Sequence, residues 1–98
     1  MTRLARLSCF YLYVDGWRDV VVLSHGRKWL RGFTAATLEP VRLSAEEIKL
    51  ITDHLGVPPQ PLLYSRYRLA QRLRRNAKLY PHSKAVARAI AELGRKAP

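Results

Sequence analysis

Two phenols and five of the six cations within fifteen residues of this chain could share one helix face: Tyr64, Tyr67, Arg68, Arg72, Arg74, Arg75 and Lys78. A guanidinium presents a planar fork that matches two phosphate oxygens, and a tyrosine ring can stack on a base or donate its hydroxyl to a nucleic-acid backbone. A basic stripe on a helix is ordinarily a solvated face. Here, however, residues 61–98 carry ten Lys and Arg against the single acid Glu92, so the stripe has almost no partners in its own half of the chain. Lys84 and Arg88 extend it further along. A second group, Arg27, Lys28 and Arg31, surrounds Trp29 beside His25, a basic and aromatic combination that could also embrace a backbone. These twelve positions (Arg27, Lys28, Arg31, Tyr64, Tyr67, Arg68, Arg72, Arg74, Arg75, Lys78, Lys84 and Arg88) are the candidate nucleic-acid contacts.

The charge is divided unevenly. Residues 1–60 hold eight bases and six acids, whereas residues 61–98 have a formal charge of +9 out of +11 for the whole chain. Self-repulsion at that density is relieved by a polyanion, so nucleic acid is the expected partner. Other chemistries find no support. His25, His54 and His82 are scattered, no nucleophile is paired with any of them in sequence, and the acids sit mostly at turns and helix starts. Gly26-Arg27-Lys28 lacks the spacing and the Ser/Thr of a phosphate loop. The expectation is a non-enzymatic protein with no metal or cofactor. Cys9 stands alone, reads as a small apolar strand residue, and suits a reducing cytoplasm. The run 9–14 is a strand former rather than a signal peptide, and no stretch approaches the roughly twenty apolar residues of a membrane span.

Ninety-eight residues, 48% of them hydrophobic, make a single α+β domain: a sheet part over 1–43, a basic helical part over 44–94 and a frayed tail over 95–98. Residues 10–14 alternate before the turn residues Asp15-Gly16. Val20, Val21, Val22 and Leu23 are consecutive apolar residues, which implies a central strand covered on both faces. Residues 28–34 and 41–43 complete a barrel-like antiparallel meander of three or four strands. Ser44 and Glu47 form a capping box for a helix with Ile48, Ile51 and Leu55 on its apolar side and Gly56 at its end. Pro58, Pro59 and Pro61 make a stiff connector to a second helix over 62–79. On that helix Leu62, Leu63, Leu69, Ala70, Leu73, Ala77 and Tyr80 share one side and the cations the other, with Arg66 awkwardly inside the apolar arc. Ser83 caps a third helix that runs to Gly94. Val20, Val22, Trp29, Phe33, Ile51, Leu69, Leu73 and Ile90 are expected in one shared core.

Two resemblances bear on function. Ile51-Thr52-Asp53-His54-Leu55-Gly56-Val57, with Leu62 beyond it, resembles the helix-turn-helix motifs of DNA-binding proteins such as phage repressors. The prolines crowd its turn, and Ser65 stands where such motifs pack inward. That resemblance implies that Gln60, Tyr64, Ser65 and Arg68 face a major groove. The segment from Val20 to Trp29, followed by an Arg-rich second half, resembles small uncharacterised bacteriophage accessory proteins. It implies action on a host or phage macromolecule in a bacterial cytoplasm, and it assigns no residue a role. The leading expectation is a nucleic-acid-binding protein, for DNA or RNA. The alternatives are a modulator that docks on an acidic surface of a host polymerase, nuclease or defence complex, and an RNA-associated structural component resembling a ribosomal protein.

Overall fold

The structure is a computed structural model that describes residues 3–56, 60–62 and 64–95. Its centre is a strand with no free face. Val20, Val21 and Val22 in β2 (Trp17–His25) have no exposed surface, and β2 is the middle strand of a five-stranded sheet. β1 (Cys9–Tyr13) and β3 (Trp29–Thr34) flank it, β4 (Pro40–Ser44) lies outside β3, and β5 (Gln60–Leu62) lies outside β1. Every neighbouring pair is antiparallel. The sheet is open, and it has one strand more than the barrel-like meander expected from the sequence.

Hairpin chemistry sets the register. Asp15 and Gly16 both have positive φ (52° and 109°), as a tight turn between right-twisted strands requires, and Tyr13 faces Trp17 across it. Between β2 and β3 the pairing passes from Val22–Gly32 to Ser24–Arg31, which leaves Leu23 as the extra residue of a bulge. Gly32 is needed there, because a Cβ would collide with the carbonyl oxygen of Val21.

Three helices cover the sheet. α1 (Ala45–Leu55) begins at Ser44, whose Oγ accepts from the Glu47 amide at 3.0 Å, and ends at Gly56 in the left-handed region. α2 (Arg66–Ala77) and α3 (Lys84–Leu93) begin at Ser65 and Ser83, each accepting from the amide three residues on. The expected start of the second helix at 62 is corrected. Residues 60–62 instead pair with β1, where the outer edge of the sheet offers unpaired backbone groups, and an edge strand tolerates Pro61. The second helix ends at Ala77, capped by Lys78, rather than at 79. The helix-turn-helix expectation is corrected with it. Helix, strand and helix succeed one another, Gln60 is a strand residue, and Tyr64 and Ser65 precede the helix. Pro58, Pro59, Val57, Leu63 and the tail at 96–98 lie outside the described residues.

A single shared core is also corrected. Because side chains alternate along β2, its valines serve two separate clusters. Val21 and Phe33 pack with Leu69, Leu73, Val86, Ala89, Ile90 and Leu93 under α2 and α3. Val20 and Val22 pack with Leu12, Leu30, Val41, Leu43 and Ile48 under α1. Trp29 is 38% exposed and Ile51 half-buried, so neither is a core residue.

Two cores predict two comparable sensitivities. Leu73 and Leu30 are both fully buried, on opposite faces. Leu73→Ala and Leu30→Ala should each cost about 2–5 kcal/mol in urea denaturation. A loss well under about 1 kcal/mol at Leu30 would mean that α1 only loosely covers its face.

Candidate nucleic-acid interface

Helix α2 is held by its buried Leu69, Ala70 and Leu73, and this orientation divides the cations. At about 100° per residue, Arg68, Arg72 and Arg75 lie along one flank, while Arg74 lies on the flank towards α3. The Arg74 guanidinium sits over Gly94, where an added Cβ would collide with it. Arg66 donates to the carbonyl of Glu92 at 3.2 Å rather than meeting an acid of α1. The expected single face of five cations is therefore split between two edges.

Arg72 is a structural residue as well as a surface one, which corrects its reading as a free cation. Its Nη1 donates to Asp19 Oδ2 at 3.0 Å and to the Tyr64 hydroxyl at 2.8 Å, and its guanidinium carbon lies 5.5 Å from the Tyr64 ring centre. Both members of the ion pair are about a quarter exposed. The bond joins α2 to the central strand. The other ion pair among the described residues ties Arg6 to Glu92 through two hydrogen bonds of 2.7 and 2.9 Å, and these hold the Glu92 carboxyl below its usual range. Arg68, Arg75 and Lys78 are exposed, with no carboxylate in contact among the described residues. Tyr67 is 63% exposed, and its hydroxyl accepts from Gln71 at 2.9 Å. On α3, Lys84 and Arg88 are exposed one turn apart.

The hairpin group lies elsewhere. Arg27 and Lys28 are exposed in the β2–β3 turn, and Trp29 carries the guanidinium of Arg42 at 4.3 Å from its ring centre, beside the cross-strand pair Arg31–Arg42. From this turn to Trp17 the nine residues of β2 span roughly 26 Å. The Asp19–Arg72 bond places α2's flank near the Trp17 end. Arg27 and Lys28 thus sit at the far end of the strands from that flank, whereas Arg31 lines a recess with His82 and Ser83 at the start of α3.

At the Trp17 end the structure reveals residues that were not among the sequence candidates. Tyr11, Tyr13 and Trp17 point to the same face as Asp19, beyond the part of the sheet that α2 covers. Tyr11 stacks on Trp17 with ring centres 5.1 Å apart and planes inclined at 18°, and Tyr13 meets Trp17 edge-on at 5.7 Å. The signal was present in sequence: alternation on either side of the Asp15-Gly16 turn puts these three aromatics on one face. Tyr11 and Tyr13 read there only as strand formers, and Trp17 falls outside the strands read from the sequence.

Charge is sorted by face. α1 holds Glu46, Glu47 and Asp53 against one base, Lys49, on the far side of the sheet from α2 and α3. Cys9 lies beneath α2, where burial first and then Asp19 push its thiol up to about 11, against a lowering influence from Arg72. This thiol is held away from thiolate chemistry. Among the described residues no three His, Cys, Asp or Glu gather as a metal site, and no helix is long and apolar enough to cross a membrane. No family model matches the chain, and no curated protein or solved structure matches it.

At the opposite end, His25 Nδ1 accepts from the Leu4 amide at 2.7 Å, which requires the unprotonated nitrogen. Burial, and secondly Arg3, lower its pKa below the ordinary 6.5. The unfolded chain therefore binds a proton more readily, and stability should fall as pH drops below about 6.5. His25→Gln should flatten that part of a urea-midpoint profile, and an unaltered slope would assign the titration to another group.

The ion pair makes a sharper division. Arg72→Gln should lower stability by about 1–3 kcal/mol, because it leaves Asp19 partly buried without its charged donor. Arg68→Gln and Arg75→Gln should stay within about 0.5 kcal/mol of the parent. Equal effects at all three positions would show that the Asp19 bond does not anchor the helix.

Proposed function

We propose that the protein is a non-enzymatic, cytoplasmic nucleic-acid-binding protein that contacts the phosphate backbone along the free flank of α2. One observation carries this reading. Among the described residues no carboxylate meets Arg68 or Arg75, exposed along α2, or Lys78, exposed at its C-terminal cap, while the neighbouring Arg72 is already fixed by Asp19. A row of cations on a rigid helix needs little ordering to meet phosphates, and each contact releases condensed counterions. The acids of α1 lie on the other side of the sheet, so the molecule would approach a polyanion with its helical α2–α3 face. Lys84 and Arg88 on α3 would widen the electrostatic footprint. The Arg27–Lys28 hairpin is too distant to share a short ligand with α2, and it contributes long-range attraction in this reading.

The test is the salt dependence of binding. For a DNA or RNA of about twenty nucleotides, log affinity should fall against log salt with a slope of magnitude about 3–5, as four to six phosphate contacts require. Replacing Arg68, Arg75 and Lys78 together with Gln should leave the fold intact and reduce the slope by about two to three contacts. Absence of binding at roughly 50 mM salt would reject the reading in favour of an acidic protein partner.

A further inference from the structure

We infer that the exposed aromatic group at the Trp17 end of the sheet is a base-stacking platform, which makes the ligand single-stranded nucleic acid. This rests on the proposed phosphate-binding role of α2 and specifies its ligand. Three features converge. First, Tyr11, Tyr13 and Trp17 keep 38%, 42% and 37% of their surface exposed although they pack on one another. A cross-strand aromatic pair needs only each other to stabilise a hairpin end, and three together leave a continuous π surface in water.

Second, the platform adjoins the cationic flank. Tyr11 is the cross-strand partner of Asp19, Asp19 holds Arg72, and Arg68 and Arg75 lie one turn to either side on the same flank of α2. A strand whose phosphates meet the outward-facing Arg68 and Arg75 can cross the Arg72 flank of α2 and lay its neighbouring bases on the sheet end. In a duplex the bases are stacked and paired, so their faces cannot reach the rings. Only an unpaired strand satisfies both surfaces at once. Tyr64, also 40% exposed, adds a further aromatic on the α2 side, its hydroxyl held by the Arg72 hydrogen bond.

Third, a recess of about 560 Å³ reaches Trp17 at the end of the strands, lined among others by Asp15, Arg18, Asp19 and Glu39 together with Val14 and Val41 of the α1 side. Its carboxylates and Arg18 can accept from and donate to the polar edges of a base.

The experiment uses the full chain in a Trp29→Phe background, so that fluorescence reports Trp17 alone, titrated with a mixed-sequence 12-mer as single-stranded DNA, single-stranded RNA and duplex DNA. Quenching of Trp17 by one or both single strands, with tighter binding than to the duplex, is the expected result, and the two single-strand arms identify the sugar. Trp17→Leu should weaken single-strand binding by about 5- to 150-fold while leaving duplex binding nearly unchanged. If that variant fails to fold, the Trp17 quenching still decides. Equal binding of single strand and duplex with Trp17 unquenched would overturn the platform while keeping the phosphate-binding role. No binding of any 12-mer would overturn both. Concentration-dependent self-association that Trp17→Leu abolishes, with no quenching by single strands, would also overturn it by showing an interface between copies of the chain.

Discussion

The whole arrangement depends on a central strand that must be covered on both sides. Three successive valines cannot all point one way, so β2 requires an apolar layer above and below it. One amphipathic helix supplies one layer and a helix pair supplies the other, which explains why so short a chain has two clusters instead of one. The helices do not extend over the whole length of β2. Where cover stops, beyond Asp19, the strands still carry large side chains, and these are Tyr11, Tyr13 and Trp17. The same constraint that builds the core therefore leaves an aromatic row at the edge of α2.

The Arg72–Asp19 bond makes this juxtaposition definite. A helix that packs by leucines alone can slide or rotate at modest cost, because aliphatic contacts are non-directional. A charge-assisted bond of 3.0 Å between partly buried groups fixes rotation about the helix axis. With Arg72 turned inwards, Arg68 and Arg75 are held on the outward-facing side of α2. Burial thus consumes one cation to position two others. The fold also keeps apart charges that the sequence merely lists in order: the acids of α1 stay on the far face, and Glu92 is occupied by Arg6.

Much of the fold was legible from the sequence. The run Val20–Leu23 identified the central strand, Asp15-Gly16 its hairpin, and Ser44 with Glu47 the start of the first helix. The errors share a cause. β5, the second core and the pairing of Arg72 all arise from contacts far apart in sequence, such as residues 19 and 72, and periodicity within a window does not register them. Leu62 has the spacing of a helix residue, yet the open edge of β1 gives its backbone better partners. Trp29 has the composition of a core residue, yet its place on an uncovered row leaves it stacked with Arg42. The basic half was plain from composition. Its division into a pinned arginine, an α3-facing arginine and a free flank was not, since a helical wheel shows which residues share a side but not what lies opposite.

The most direct test of the account is where a ligand lands. In a titration of the ¹⁵N-labelled chain with a single-stranded 12-mer, backbone amide shifts should concentrate at Tyr11, Tyr13, Trp17 and the Arg68–Arg75 flank of α2. The amides of Arg27 and Lys28, roughly 26 Å away along β2, should move little. Shifts centred on the Arg27–Arg31 hairpin, or spread evenly over every basic surface, would contradict a defined site formed where helix and aromatic row meet.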